Sequence, residues 1–216
     1  LATITHLFGE MFNLEAGIFL GVFLSLVMFL YRTSKPEIVP VVPAPEEGAY
    51  HFVRAKGRPE CPQLRIVRIN GSVYFGSSSY VQAALQQIDE DNPQQKSVLI
   101  AAASLVRIDI AGGEILAQEA RRRRRMGGGL YFYRLNKANY EFLRQGGYTH
   151  EIGEGAFFPV MTNVTGALYR TLDPDICRTC KKRIFKECHS GLLPDGLRRL
   201  RLMLATDGSE FSHAPQ

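Results

Sequence analysis

Three short stretches of this sequence carry residue types and spacings that could do chemistry. Cys177-x2-Cys180-x7-Cys188-His189 has a metal-like spacing. Cys-x-x-Cys sets two thiolates on one cation, and Cys188 with His189 would complete a tetrahedral zinc or iron site. Cys61 is a distant candidate for the fourth ligand. Adjacent Cys188 and His189 fit one ion awkwardly, so free thiols and a redox couple stand beside the metal reading. Arg121–Arg125 is a run of five arginines that winds about 500° around a helix and so surrounds it. At a helix C-terminus such a run complements the dipole. Near a membrane it would also attract anionic lipid headgroups or an acidic partner. No aromatic residues interleave with it, which argues against nucleic acid. The third stretch, Asp109-Ile110-Ala111-Gly112, connects a strand to a helix, and its bland role is that Asp109 satisfies backbone donors.

Enzyme machinery is otherwise missing. The five histidines have no Ser or Cys and carboxylate at recognisable spacing. Gly127–Gly129 follows a helix, the reverse of the order a phosphate loop needs. No catalytic residue is expected, and no cofactor beyond zinc or iron at the C-terminal cysteines.

The elements that must position these residues begin with a membrane segment. Ala16 to Tyr31 holds no charge, and a helix of that length rises about 24 Å, brought closer to a hydrocarbon core by including Met11 to Glu15. The span expected is about 14–31. No basic stretch precedes it and no small-residue cleavage site follows, unlike a signal peptide. Arg32 and Lys35 follow it while Glu10 and Glu15 precede it, which puts residues after about 31 on the cytoplasmic side of the inner (plasma) membrane. Gly17, Gly21 and Ser25 share one face, where another membrane helix could approach closely. The rest of the 216 residues is of ordinary globular composition, 45% apolar and 22% charged, with 26 Lys and Arg against 21 Asp and Glu. That excludes a fibrous, disordered or polytopic chain.

Residues 36–63 hold Pro36, Pro40, Pro43 and Pro45 and are expected to form a Pro-rich, semi-rigid extended linker and domain entry. Over 64–172 the pattern predicts a hairpin, with Leu64–Asn70 and Ser72–Phe75 turning at Asn70-Gly71. A helix follows over Tyr80–Asp89, a buried strand over Val98–Ala102, a helix over Ile115–Met126 and a strand over Leu130–Leu135. Asn136 would cap a helix from Lys137 to Arg144, and a last helix spans about Val160–Leu172. Alternating strands and helices imply an α/β fold with a mostly parallel sheet. Residues 173–216 read as a basic, Cys-containing tail.

Leu14–Pro36 (LEAGIFLGVFLSLVMFLYRTSKP) resembles the last transmembrane helix and exit of SulP-type sulfate permeases. Ile66–Ser77 (IVRINGSVYFGS), Val106–Ala120 (VRIDIAGGEILAQEA) and Gly128–Tyr148 (GGLYFYRLNKANYEFLRQGGY) resemble their STAS domain, the fold shared with anti-sigma-factor antagonists. The order of helix, Pro-rich exit and STAS pattern is the family's order. The resemblance implies the C-terminal part of a secondary active transporter of sulfate or another inorganic anion, with a cytoplasmic STAS domain that regulates it or docks partners. A membrane-tethered STAS signalling module without transport is the alternative. It also implies, as partners, the membrane, the remaining transport domain of the same protein, and a second copy in a full-length homodimer. The anion-holding half-helices of such a core are not in residues 1–35, so this stretch alone would transport nothing, and the N-terminal leucine reads as a truncation mark. The antagonists carry Asp-Ser-Ser-Gly where this sequence has Asp109-Ile110-Ala111-Gly112; Ala111 has no hydroxyl to take their phosphate. What the fold implies for that loop is a docking or nucleotide-sensing edge at a helix N-terminus.

Overall fold

The computed structural model describes residue 3 and residues 14–44, 51–191 and 193–194. Residues 11–13 at the start of the expected membrane span, residues 45–50 of the Pro-rich stretch and the tail beyond 194 lie outside the described residues. The chain divides into two units, Leu1–Lys35 and Pro36–Gln216.

The first unit carries α1 (Leu14–Thr33), with Glu15 in its first turn and Arg32 in its last, each the sign that offsets the helix dipole there. Twenty residues rise about 30 Å, and a mean hydropathy of 1.8 over Glu15–Thr33 makes α1 long and apolar enough to cross a membrane. Gly17, Gly21 and Ser25 fall on one side of it, at helical spacing of four.

The second unit is built on one sheet. Its elements in chain order are β1 (Glu37–Pro43), β2 (Phe52–Arg54), β3 (Leu64–Val73), α2 (Phe75–Asp91), β4 (Ser97–Ala101), β5 (Leu105–Ile108), α3 (Ile110–Arg125) and β6 (Leu130–Tyr133). They continue through α4 (Lys137–Gln145), α5 (Tyr148–Ile152), β7 (Phe157–Phe158), α6 (Val164–Tyr169) and α7 (Pro174–Thr179). The strand order is β2-β1-β3-β4-β6-β7, with β5 beside the far end of β3. The strands β3, β4, β6 and β7 run parallel, while β1 is antiparallel to both neighbours. This is the expected α/β sheet with helices. β4 is buried along its whole length, and α2 and α3 set Val81, Leu85, Leu116 and Ala117 into the same core. Phe132 stacks on Phe157 at 5.2 Å between ring centres, tying β6 to β7.

Two expectations are corrected here. The Pro-rich segment does not act as a linker: β1 pairs with β3 from Glu37↔Asn70 to Pro40↔Val67, and then with β2. Its valines at 39, 41 and 42 are buried, which favours the sheet over a solvated extended chain. Pro40 is tolerated because its carbonyl accepts from Ala55 N at 3.0 Å, on the β2 side of the strand. A strand residue directs N–H and C=O to the same side, so the missing N–H faces the end of β2 and no bond to β3 is lost. Nor is there a hairpin at Asn70-Gly71. β3 runs on to Val73, and its register against β5 shifts between Gly71 and Val73. The turn-forming glycine serves that bulge: Gly71 has φ +127°, and a Cβ there would stand 3.3 Å from Pro36.

Helix starts moved for local reasons. Asp109 caps α3, so the helix begins before Gly112 and Gly113 instead of after them. A Cβ on Gly112 would lie 2.2 Å from the Val73 carbonyl oxygen, so only glycine allows α3 to sit this close to β3. Asn136 caps α4 as expected, accepting from Asn139 N. Asn163 caps α6 by accepting from Gly166 N at 3.1 Å, so the helix expected over Val160–Leu172 spans only Val164–Tyr169, and α7 follows it in the segment expected as a tail.

Candidate functional site

The strand-to-helix loop at Asp109 joins two helix N-termini. Asp109 Oδ1 accepts from Gly112 N at 2.8 Å inside α3, and Oδ2 accepts from Phe75 N at 3.0 Å at the start of α2. Both carboxylate oxygens are engaged, each on a donor that a helix start leaves without an intrahelical partner. The Tyr148 hydroxyl donates to the Ile110 carbonyl at 3.3 Å, holding the loop from the α5 side. Ser77 is buried, accepts from Tyr74 N and donates to the Ser72 carbonyl. What the loop presents outward is apolar: Phe75, Ile110 and Val106 are 81%, 72% and 69% exposed. Ile110 was singled out from the sequence, whereas Phe75 reads there as the end of a strand. The signal that would have found it is an apolar residue at the first position of a helix, off the buried stripe.

The arginine run is not a free basic patch; here the structure corrects the expectation. Arg123 is fully buried. Its guanidinium donates to Glu119 Oε1 at 2.6 Å, to the carbonyls of Leu85, Gln95 and Lys96, and to Asp89 Oδ1. Arg122 forks onto Asp89 at 2.7 and 2.9 Å and onto Glu119 at 2.8 and 2.9 Å. Arg124 donates to the carbonyls of Glu151 and Ile152, and Arg121 pairs with Glu114 and Glu151. Only Arg125 of the five is exposed. The pairing shows in the ionisation. Hydrogen bonds from Arg122 hold Asp89 below the usual carboxylate range, and Asp89 and Glu119 push Arg122 further up. Burial lowers Arg123, with the carboxylates of Glu119 and Asp89 pulling the other way.

The C-terminal segment is folded against the domain. Phe185 is 2% exposed and joins the core, so the residues after 173 are no detached tail up to at least Pro194. Asp173 caps α7, and Gln63 fastens this turn by donating to the Asp173 carbonyl and accepting from Asp173 N at 2.8 Å. A cavity of about 270 Å³ lies beside it, and Cys177, Cys180 and Cys188 line it together with Cys61. His189, placed with them from the sequence, is not among the lining residues; its Nε2 stands 2.9 Å from the Arg183 carbonyl. All four thiols are free. Burial pushes Cys61 up to about 11 and Cys177 up to about 12, and it raises Cys188. Burial thus favours the protonated thiol at Cys61, Cys177 and Cys188.

The architecture defines a mixed α/β domain with a capped, outward-facing loop at the start of α3. By sequence the chain belongs to the STAS domain family, which matches residues 53–167, just over half of its length. No curated protein matches it in sequence. Among solved structures it is similar to murine Solute Carrier 26 family member A9, an anion transporter in the inward-facing state. That likeness has a TM-score of 0.62 at 15% identity, over 76% of this chain and 27% of the other. A second structure of SLC26A9 gives 0.62 at 13% identity, over 78% and 29%. A sulfate transporter family protein from Wolinella succinogenes is 20% identical over 52% of this chain and 89% of its own, with a TM-score of 0.44. The chain thus has the fold of part of SLC26A9 and spans less than a third of its length.

Proposed function

We propose that this chain is the C-terminal part of a SulP-type secondary active transporter of sulfate or another inorganic anion. In this reading α1 is the last membrane helix, and the STAS domain lies on the cytoplasmic side, where it regulates or docks the transport core. The observation that carries it is continuity: α1 ends at Thr33 and the sheet begins at Glu37, so a membrane-length helix enters a STAS domain through three residues. The likeness to SLC26A9 extends over three-quarters of the chain, beyond the STAS match itself. Gly17, Gly21 and Ser25 give α1 a face for packing against the transport helices. The loop Asp109–Gly112, with Phe75 and Val106, is the docking edge. With Ala111 at the antagonists' phosphorylated position, that docking is constitutive and not phosphate-switched. Full-length copies pair as a homodimer.

The complete reading frame upstream of Leu1 tests this first, since a transporter requires a dozen or so further hydrophobic segments. The full-length protein in liposomes should then take up labelled sulfate or compete it with other inorganic anions. Uptake should change when Phe75 and Ile110 are both replaced by Ser. A start codon immediately before Leu1, or full-length vesicles that move no anion, would leave the membrane-tethered STAS module that binds a protein partner.

A further inference from the structure

All four cysteines of the chain stand around a single cavity. They come from separate segments: Cys61 precedes β3, Cys177 lies in α7, Cys180 caps its end, and Cys188 sits in the single turn Lys186–His189. A redox pair would account for two sulfurs and leave the convergence of the other two unexplained. We propose that Cys61, Cys177, Cys180 and Cys188 hold one zinc ion as a four-thiolate structural centre that clasps the C-terminal segment onto the entry to β3.

The surroundings fit that centre. Four sulfur donors suit zinc or iron and disfavour magnesium, calcium and manganese, and four-coordinate zinc in a closed protein site is structural. A zinc tetrathiolate is a dianion, and the segment 176–189 supplies five basic residues against one acid, with Arg178, Lys182 and Arg183 at the cavity itself. Gln63 Nε2 donates to Cys177 Sγ at 3.3 Å while its carbonyl is held by Asp173 N. That is the outer-shell support a thiolate ligand needs. Tyr169 and Phe185 wall the site with apolar surface.

Among the described residues no group of three His, Cys, Asp or Glu side chains converges closely enough to hold an ion as it stands. Zinc therefore has to draw the sulfurs inward, to about 2.3 Å from the metal and roughly 3.8 Å from one another. The parts that move are short: α7 has six residues and the turn at Cys188 has four. Each thiol releases its proton to solvent as its S–Zn bond forms, so no oxidant or reductant enters. The fold is thereby closed by a link between residue 61 and residues 177–188.

The test uses the whole chain in detergent, produced in zinc-supplemented cells and purified with reductant but without chelator. Elemental analysis should find about one zinc per chain. Replacement by cobalt should give the d–d and sulfur-to-metal absorption of a tetrahedral thiolate centre. Cys61→Ser and Cys188→Ser should each weaken zinc by more than about a hundredfold, beyond the loss of an outer-shell partner. His189→Ala should bind as the parent does. Cys188, half-exposed, gives a folded variant, checked by circular dichroism, even if Cys61→Ser fails to fold. Trace metal with four thiols open to a thiol reagent would overturn the proposal. So would a mass lower by a disulfide's two hydrogens, or zinc that survives Cys188→Ser and is lost with His189→Ala.

Discussion

The run Arg121–Arg125 and the segment 176–189 each hold five basic residues, and in composition they look alike. In the run, the helix turns four guanidinium groups toward carboxylates and carbonyls of other elements and leaves only Arg125 exposed. In the C-terminal segment Arg178, Lys181, Lys182, Arg183 and Lys186 are all exposed, while its cysteines and Phe185 turn inward. The difference lies in what surrounds the charge. α3 packs against α2, which brings Asp89 and the Leu85 carbonyl to Arg123, and its own Glu119 lies one turn back. The segment 176–189 has one acid of its own and packs through apolar and sulfur groups instead. A cluster of like charge is an interaction surface only where the fold has not already matched it.

The largest effect is expected where that matching is tightest. Arg123→Ala should cost about 3–5 kcal/mol, because it takes from buried Glu119 one of its two arginine partners and strands the buried carbonyls of Leu85 and Gln95. Against a total of about 5–15 kcal/mol, urea unfolding should start at much lower denaturant. Arg123→Lys should recover little of this, since an ammonium cannot replace a planar fork that reaches five acceptors. A mild effect would mean that the run is a solvated surface after all.

On the other side of the comparison, stability should depend on metal. If zinc is present at about a thousand times its dissociation constant, it adds about 4 kcal/mol, and a chelator should lower the thermal midpoint accordingly. Chelator should have no further effect on Cys188→Ser, because the same link is already gone. Equal chelator sensitivity in both proteins would place the metal elsewhere.

Asp109 gives an intermediate case, a single acid that serves two helices. Asp109→Ala should cost about 1–2 kcal/mol by removing the acceptor for Phe75 N and Gly112 N together. Asp109→Asn should cost less, since its remaining carbonyl oxygen can still cap α3. Thermal unfolding of the two variants separates this structural role from docking. A docking defect in Asp109→Asn without lost stability would show that the loop acts directly on its partner.

The matched arginines also predict a pH response. Arg122 holds Asp89 below its ordinary pKa of 3.8. A carboxylate lowered by folding stabilises the native state fully above its unfolded pKa, and that contribution is lost as pH falls through the lower folded value. Stability should therefore fall below about pH 4, and the acid limb should be shallower in Asp89→Asn than in the parent. An unchanged acid limb would mean that Asp89 carries none of it.

How much of this was legible in the sequence depended on how far each signal had to travel. Asn136 announces α4 because its cap is local, and β4 is evident because its whole length is buried. The fate of Pro36–Pro43 was not, because prolines describe the segment and the partner that makes it a strand, Val67–Asn70, lies some 30 residues away. The arginine run misled for the same reason: five identical residues give no periodicity, and four of the five acceptors of Arg123 come from residues 85 to 96. The C-terminal cysteines were visible as a motif, but Cys61 joins them only through the packing of the segment against β3. His189 entered the motif as a ligand type, although its adjacency to Cys188 already fitted one ion awkwardly, and it does not line the cavity.

The smallest effect belongs to Arg125, and it tests the comparison most directly. Its neighbours are engaged by Glu114, Asp89, Glu119 and the α5 carbonyls, so Arg125 is the arginine of the run left to bind an anionic surface. Arg125→Gln should change stability by no more than about 0.5 kcal/mol, as for an exposed side chain. On vesicles rich in acidic lipid it should weaken binding by about 1 kcal/mol, roughly fivefold, the contribution of one basic residue near the surface. Adding Arg121→Gln should then lower stability, because Arg121 bridges Glu114 and Glu151, while vesicle binding falls little further. If instead each removed arginine of the run lowered binding equally and left unfolding unchanged, the ion pairs would be yielding to the membrane. The run would then be the same kind of surface as the segment 176–189.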